Sequence, residues 1–308
     1  MPKQAVICLA GPTASGKTEF AIRLREKLPL EIISVDSALV YRGMDIGTAK
    51  PDAETLKRAP HRLIDIRDPE DSYSAGDFVR DAEVEMRDIW GSGRIPLLVG
   101  GTMMYFRSLT EGIAELPEAN PQVRAELDAD AASVGWPAMH ERLADIDADA
   151  AARINRNDSQ RIQRALEVFQ ISGKTITECQ TGNRRPSFEF LKLALVPGSR
   201  AVLHGRIDSR LQSMFDKGFV EEVVMLRNRP GLSRKSPSMR AVGYRQIWSH
   251  LDGAYDRSTA AAKALAATRQ LAKRQLTWLR SDKQLNSFDP LEDKAFDAIL
   301  LLLDKHLN

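Results

Sequence analysis

The residues of this chain that are best suited to chemistry begin at position 11, directly after an apolar segment. Positions 11–18 read G-P-T-A-S-G-K-T, the pattern of a phosphate-binding loop, and a helical pattern follows them. In such a loop the backbone amides and the helix N-terminus face the phosphates, and the lysine adds a full positive charge. The pattern predicts a diphosphate or triphosphate site formed by Gly11, Pro12, Thr13, Ala14, Ser15, Gly16, Lys17 and Thr18.

Three of these residues have more specific expected roles. Gly11 and Gly16 are expected to adopt backbone angles that a side chain would forbid. The hydroxyl of Thr18 is suited to hold a Mg²⁺ ion that binds the same phosphates. The pattern does not say which molecule carries the phosphates.

Asp36 is the second candidate, because it ends the apolar segment at residues 32–35. If that segment is a strand beside the first one, Asp36 lies next to the phosphate loop. Three roles suit a carboxylate in this place: binding Mg²⁺ through water, accepting a proton as a general base, or capping the next turn. The spacing alone does not choose among them.

A third candidate is the turn Gly100, Gly101 and Thr102, which follows the apolar residues 96–99. A protein that hydrolyses a nucleoside triphosphate usually has an acidic metal ligand at such a strand end. Two glycines and a threonine indicate either close approach of the backbone to a ligand, with Thr102 as a hydroxyl donor, or a tight turn that starts a helix.

Arg206 and Arg210 lie four residues apart on a predicted helix, so they share one face. Two guanidinium groups can hold phosphate oxygens through paired hydrogen bonds. The alternative is that they form surface ion pairs with Asp208 or Asp216.

The elements that must position these residues are short apolar strands alternating with helices. The pattern predicts a helix at 78–90 with Ser74 as its cap, a long helix at 258–280, and strands at 5–10, 32–36, 63–66, 96–99 and 191–196. Such alternation is typical of an α/β fold, with a parallel sheet and helices on both of its faces. Ligands of these folds bind at the carboxyl ends of the strands.

Between about residues 112 and 185 the strand pattern gives way to helical patterns. The sequence therefore predicts a core domain that contains the phosphate loop, formed by residues 1–115 and 186–308 with its C-terminal helices. Residues 116–185 are predicted to form an all-helical insertion carried on that core.

Charge is unevenly distributed in this chain of 308 residues, although its formal net charge is only +2. Residues 153–185 carry seven bases, including Arg184 and Arg185, against three acids, and residues 263–283 carry six bases against one acid. Such runs form either solvated helix faces or, beside a phosphate loop, a surface for a polyanionic partner.

The other compositional features exclude several classes of protein. Two cysteines make neither a disulfide framework nor a metal site, which fits a reduced cytoplasm. There is no run of about 18 apolar residues, so we expect no membrane-spanning segment.

Further motifs follow the phosphate loop in order. They are I-S-V-D-S-A-L at 33–39, Y-R-G-M-D-I-G-T-A-K-P at 41–51, H-R-L-I-D-I-R-D-P at 61–69, L-L-V-G-G-T at 97–102, D-S-Q-R-I-Q-R-A-L-E at 158–167, V-G-Y-R-Q at 242–246 and A-T-R-Q-L-A-K-R-Q-L-T-W-L-R at 267–280. With the loop, they resemble the motifs of bacterial tRNA dimethylallyltransferases, also called tRNA isopentenyltransferases. The zinc-binding extension of the eukaryotic members is not expected here.

The resemblance implies an activity with Mg²⁺ as cofactor. A dimethylallyl group moves from dimethylallyl diphosphate to the exocyclic amine of the adenosine just 3′ of the tRNA anticodon. It implies that Asp36 is the base, that Thr102 holds the flipped adenosine, and that Arg210 lies near the diphosphate. We expect a cytoplasmic monomer.

The resemblance also implies the surface that contacts the tRNA anticodon arm. The residues concerned are Asp36, Ser37, Ala38, Leu39, Thr102, Arg124, Gln160, Arg161, Ile162, Gln163, Arg164, Arg240, Ala241, Val242, Gly243, Tyr244, Arg245, Lys273, Arg274, Gln275, Leu276, Thr277, Trp278, Leu279 and Arg280.

Two other functions use the same loop. One is a kinase of small molecules or nucleotides that uses ATP, which leaves the basic runs and the Gly-Gly-Thr turn unexplained. The other is a non-catalytic RNA-binding ATPase, in which Asp36 is only a metal ligand.

Overall fold

The computed structural model describes residues 5–180 and 188–307. Its strands are β1 (Ala5–Ala10), β2 (Leu30–Val35), β3 (His61–Arg62), β4 (Ile95–Gly100), β5 (Glu189–Leu195) and β6 (Asn286–Phe288). Its helices are α1 (Lys17–Lys27), α2 (Ala53–Arg58), α3 (Ala75–Gly91), α4 (Met103–Glu111), α5 (Pro121–Val134), α6 (Trp136–Ile146), α7 (Ala148–Arg153), α8 (Ser159–Ser172), α9 (Ile176–Gln180), α10 (Arg200–Asp216), α11 (Phe219–Arg227), α12 (Tyr244–Leu251), α13 (Arg257–Ser281) and α14 (Ala295–Leu307), with a 3-10 helix at Ser238–Arg240.

Within the described residues, the strands form one parallel sheet in the order β3-β2-β4-β1-β5-β6. Successive side chains of β1 are buried on opposite faces, with Ile7 and Leu9 on one and Val6 and Cys8 on the other. Helices α1 and α14 cover the first face, and α3 packs on the second. The predicted α/β fold is confirmed.

The order of the strands corrects one premise of the sequence analysis. Strand β2, which ends before Asp36, pairs with β3 and β4 and does not neighbour β1. Strand β4 lies between β2 and β1, so the Gly100–Gly101 turn separates Asp36 from the phosphate loop along the sheet edge.

The strand predicted at residues 63–66 is wrong. The extended pairing covers only His61 and Arg62, and the backbone then turns because Leu63 and Asp65 have φ values of 61° and 56°. Left-handed residues cannot continue a strand. Lys50 stabilises this turn, since its Nζ donates to Asp65 Oδ1 at 2.5 Å.

Two helices follow their local signals closely. Helix α3 begins after Ser74, whose hydroxyl accepts from the Asp77 amide while the Asp77 carboxylate accepts from the Ser74 amide. Helix α13 extends the predicted long helix by one residue at each end. The observed helices match the predicted ones because capping residues and apolar spacing act within a few residues of the helix.

The chain divides into two compact units, one formed by residues 1–110 and 187–308 and the other by residues 111–186. In the second unit, the described residues form helices around a core that includes Leu127, Met139, Leu143, Ile162 and Leu166. The expected insertion, 116–185, falls within this unit. Its expected end at 185, together with Arg184 and Arg185, lies outside the described residues.

None of the helices in the described ranges combines the length and the apolar character that crossing a bilayer requires.

Candidate active site

A cavity of about 500 Å³ lies at the carboxyl ends of β1, β2 and β4. It gathers residues that are far apart in the sequence. Those with polar or charged side chains include Lys17, Thr18, Asp36, Thr48, Arg206, Arg210, Thr268 and Gln275. The fold thus brings two of the predicted catalytic residues, Asp36 and Arg210, into the same cavity as Lys17 of the predicted phosphate loop.

The predicted phosphate loop joins β1 to α1, and its two glycines serve different purposes. Gly16 has a φ of 93° and ends the loop in the left-handed region. Gly11 does not have a positive φ, so the predicted reason for this glycine is wrong. It is needed for space, because a Cβ there would lie 2.7 Å from the Leu195 carbonyl oxygen and from Ser15 Oγ.

Lys17 is the first residue of α1, and its side chain lines the cavity. Its Nζ donates to the Pro12 carbonyl oxygen at 2.7 Å. Burial, and then the positive charge of Arg210, lower the pKa of Lys17 to about 7, although the Asp36 carboxylate opposes the shift. An anionic ligand stabilises the protonated lysine, so binding should draw a proton from solvent.

This pKa predicts how the binding of inorganic diphosphate depends on pH. The cationic Lys17 is present below about pH 7 and is lost above it. We therefore expect the affinity for diphosphate to fall by up to about tenfold for each pH unit above 7. Calorimetry in buffers of different ionisation enthalpy should show proton uptake at pH 8.

The matched control for this prediction is Lys17→Arg, whose guanidinium stays protonated at every pH used. The pH dependence of diphosphate binding to this variant therefore reflects only the ionisation of the diphosphate. Equal pH profiles for the wild type and Lys17→Arg would contradict the assigned shift.

Two arginines of α10 line the same cavity. Arg206 Nη2 would lie 3.3 Å from a Cβ at Gly16, so this guanidinium sits against the phosphate loop. Arg210 Nη2 donates to the Thr48 carbonyl oxygen at 3.2 Å. Among the described residues, neither arginine forms an ion pair with Asp208 or Asp216, and both line the cavity that the predicted phosphate loop borders.

Asp36 caps the turn that follows β2. Its Oδ1 accepts hydrogen bonds from the amides of Ala38 at 2.9 Å and Leu39 at 3.4 Å. The capping role is therefore observed, and the carboxylate also lines the cavity. The capping bonds fix its orientation, which is compatible with the two other predicted roles.

Thr102 joins the turns after β2 and β4. Its Oγ1 accepts from the Ser37 amide at 3.0 Å, and its own amide donates to the Val35 carbonyl oxygen at 3.2 Å. Thr102 is not among the described residues that line the cavity, although the adjacent Gly101 is.

The two glycines before Thr102 are required by neighbouring protein groups. A Cβ at Gly100 would collide with the backbone of Val35 on the adjacent strand. A Cβ at Gly101 would lie 2.6 Å from Gln275 Nε2. The close approach indicated by this pair of glycines is therefore made to β2 and to α13.

Glu222, a buried carboxylate of α11, supports the cavity wall but has no signal in the sequence. It accepts hydrogen bonds from the amides of Asp45, Ile46 and Gly47 at 2.7–3.1 Å, and from Tyr244 Oη at 2.6 Å. These bonds shape the loop that carries Thr48 and Ala49 into the cavity wall. No local pattern distinguishes Glu222 from other acids in the first turn of a helix.

The donor set at the mouth of the phosphate loop suits Mg²⁺. The described residues contain no group of three His, Cys, Asp or Glu side chains that would hold a metal by themselves. Mg²⁺ does not require one, because it usually binds one or two protein oxygens, several waters and substrate phosphates. Thr18 and Asp36 line the cavity and offer such oxygens.

The residues of α13 that the resemblance assigns to tRNA divide between two faces. Lys273, Arg274, Thr277, Trp278 and Arg280 are exposed. Gln275, Leu276 and Leu279 are buried, at 6%, 8% and 7% exposure. The side chains of Gln275, Leu276 and Leu279 therefore face the protein interior and hold α13 in place.

The remaining predicted contacts in the first unit are similarly mixed. Ser37, Arg240 and Arg245 are exposed, whereas Ala38, Leu39, Ala241 and Val242 are half-buried and Gly243 and Tyr244 are buried. Their contact with RNA remains a prediction.

In the second unit, the buried carboxylate of Glu167 holds two of the predicted tRNA contacts. It accepts from Arg124 Nε at 2.9 Å and from Arg164 Nη1 at 2.7 Å. Burial raises the pKa of Glu167, but these arginines and the Asn120 amide outweigh it and hold the pKa below its ordinary value. Both arginines thus have a structural role.

The other predicted contacts of this unit lie at the start of α8. Gln160 and Arg161 are exposed, Gln163 is half-buried, and Ile162 is in the core of the unit. Arg161 is the most available cation of this group, with 71% of its side chain exposed.

Comparisons with known proteins agree along most of the chain. Residues 39–282 match the family model described as IPP transferase. A tRNA dimethylallyltransferase of Alkalilimnicola ehrlichii is 54% identical over 284 residues, which are 92% of this chain and 90% of that protein.

Solved structures show the same fold. A tRNA isopentenylpyrophosphate transferase from Bacillus halodurans is 36% identical with a TM-score of 0.73, covering 99% of this chain and 97% of that one. A tRNA isopentenylpyrophosphate transferase from Staphylococcus epidermidis is 32% identical with a TM-score of 0.70, covering 99% and 100%. A eukaryotic dimethylallyltransferase acting on tRNA is 23% identical with a TM-score of 0.83, covering 99% and 79%, and supports the fold alone.

Proposed function

Because the chain belongs to the IPP transferase family, we propose that its cavity transfers a dimethylallyl group from dimethylallyl diphosphate to tRNA. The acceptor is the exocyclic amine of the adenosine just 3′ of the anticodon, and the product is isopentenyladenosine. The enzyme acts as a monomer in the cytoplasm, where its tRNA substrate is found.

The observation that carries this proposal is the convergence of cations and the Asp36 carboxylate in a single cavity. Lys17, Arg206 and Arg210 face the space beside the phosphate loop, and Asp36 lies across the Gly100–Gly101 turn. The cations suit a diphosphate, and the carboxylate suits an amine that must lose a proton.

The reaction requires one bond to form and one to break. The adenine nitrogen forms a bond to the allylic carbon, the bond from that carbon to the diphosphate oxygen breaks, and the amine proton passes to Asp36. Lys17, Arg206 and Arg210 stabilise the negative charge that develops on the departing diphosphate. Bound Mg²⁺, held by Thr18 and substrate oxygens, would supply further positive charge there.

The acceptor base must leave its stack to reach Asp36, which costs roughly a few kcal/mol. An adenine amine is a weak nucleophile, so its alignment with the allylic carbon matters as much as the base. Thr102 contributes to this alignment through the turn after β2, because its Oγ1 accepts from the Ser37 amide next to Asp36.

Nucleoside analysis of tRNA treated with dimethylallyl diphosphate tests the proposed function. We expect one adenosine per substrate tRNA to gain a dimethylallyl group. A tRNA with guanosine in place of that adenosine should gain none. Modification of both RNAs, or of neither, would contradict the proposal.

The exposed cations predict a salt dependence of tRNA binding. Each phosphate contact that is lost should reduce the slope of log K against log salt by about 0.7–0.9. We expect a reduction of about 3, measured across a salt series, when four exposed residues are replaced together with alanine. These residues are Arg161, Lys273, Arg274 and Arg280.

The control removes four exposed positive charges from α1, α2 and α3. It replaces Lys27, Lys57, Arg58 and Arg80 with alanine. The control should leave the salt slope within about one unit of the wild type. Equal slopes for all three proteins would mean that the four residues of the test set are only a solvated surface.

A further inference from the structure

Gln275 connects the phosphate loop to the turn after β4. The proposed reaction requires a fixed distance between these two segments. Gln275 lies on the inner face of α13 and is only 6% exposed. Its Oε1 accepts from the Thr13 amide of the phosphate loop at 2.9 Å. Its Nε2 donates to the Gly101 carbonyl oxygen, in the turn after β4, at 2.8 Å.

The packing around this side chain is tight. The Cβ position of Gly101 lies 2.6 Å from Gln275 Nε2 and 3.5 Å from the Gly11 carbonyl oxygen. The phosphate loop and the Gly100–Gly101 turn therefore approach each other directly, with the Gln275 amide set against both. The length and the hydrogen bonds of this side chain therefore help to set the spacing of the two turns.

An amide fits both bonds at neutral pH. One end of the side chain must accept from an N–H, and the other must donate to a carbonyl oxygen. An ionised glutamate has no donor, and a methionine of similar length can make neither bond well. Both the hydrogen-bonding groups and the length of the side chain therefore favour glutamine at this position.

Helix α13 also has an exposed face. Thr268, Leu271 and Gln275 line the cavity, while Lys273 and Arg274 beside Gln275 are exposed. Gln275 is therefore the point at which the proposed tRNA-binding helix contacts both the phosphate loop and the turn that carries Thr102.

We propose that Gln275 is a positioning residue, which sets the distance between the diphosphate in the loop and the acceptor amine beside Asp36 and Thr102. The inference rests on the proposed function. It acts through Thr13 and Gly101, and Gln275 need not touch either substrate. A displacement of about 1 Å between reacting groups can lower a rate by about 10²-fold without weakening binding.

The first test is Gln275→Met, measured by single-turnover transfer at saturating substrates. We expect the transfer rate to fall by about 10²-fold. Affinities for inorganic diphosphate and for tRNA should each stay within about threefold of the wild type. The control is Ser249→Ala, which removes a hydrogen bond of another buried residue, from Ser249 Oγ to the Arg245 carbonyl oxygen at 2.9 Å, and should keep the wild-type rate.

The second test, Gln275→Glu, replaces the amide with a carboxyl group, which can be titrated. Burial raises the pKa of a carboxyl group, and the protonated acid can donate to Gly101 as the amide does. The ratio of variant to wild-type rate should approach one at low pH and fall as the carboxyl ionises. This variant keeps the inference testable if Gln275→Met does not fold.

Different outcomes overturn different claims. A Gln275→Met rate within threefold of an active wild type, or a Gln275→Glu ratio independent of pH, would overturn the positioning role alone. Loss of both affinities in proportion to the rate would do the same, since it would show general damage. A wild type that transfers no dimethylallyl group would overturn the proposed function and the inference together.

Discussion

Replacing Asp36 with alanine is expected to lower the single-turnover rate of dimethylallyl transfer by roughly 10²–10⁴-fold. The carboxylate lines the cavity that contains Lys17 and Arg210, and it is the proposed acceptor of the amine proton. The affinity for tRNA should change by less than about threefold, because this side chain acts on one proton. Rate and affinity are measured on the same preparation.

Asp36→Asn separates the two roles of this side chain. An asparagine Oδ1 can still accept from the Ala38 and Leu39 amides, so the turn stays capped while the base is lost. We expect Asp36→Asn to be nearly as slow as Asp36→Ala. If the asparagine variant kept a rate within threefold of the wild type, Asp36 would be a capping residue and another group would take the proton.

Replacing Lys17 with alanine is expected to lower the transfer rate by about 10²–10³-fold, the usual effect of losing a group that stabilises charge in the transition state. Lys17 extends from the first turn of α1, and its Nζ is held at the Pro12 carbonyl oxygen within the loop. The measurement is single-turnover transfer at saturating dimethylallyl diphosphate, with ATP hydrolysis followed in parallel.

Lys27→Ala is the matched control, because it removes a lysine from the exposed last turn of the same helix. It should retain the wild-type rate. ATP should be neither hydrolysed nor required by any of the three proteins. A tRNA-stimulated ATPase that disappears in Lys17→Ala would favour an ATP-dependent function.

Local features of the sequence were enough to predict most of the sheet strands and the phosphate-loop pattern. Strand β1, the loop and α1 follow one another within 27 residues, and each has its own pattern of apolar residues or glycines. The edge strand β6 was not predicted because Asn286, Ser287 and Phe288 lack an apolar run. The turn at Leu63 was missed because an apolar residue in a left-handed conformation leaves no local signal.

The buried side chains that hold the cavity loops in place could not be predicted, because their hydrogen bonds join distant parts of the chain. Gln275 and Thr13 are 262 positions apart, and Glu222 and Ile46 are 176 apart. A buried glutamine or glutamate becomes recognisable only once the fold shows which amides it satisfies. The resemblance placed Gln275 among residues for tRNA, whereas its hydrogen bonds are made to the two turns of the cavity.

The most direct test of the central claim offers the protein radiolabelled dimethylallyl diphosphate and ATP, each with and without tRNA. We predict that label from dimethylallyl diphosphate enters tRNA without added ATP, and that ATP is not hydrolysed under any condition. Hydrolysis of ATP, or transfer of its terminal phosphate, with no label in tRNA would contradict the account. The cations around the loop would then serve a nucleotide and not a prenyl diphosphate.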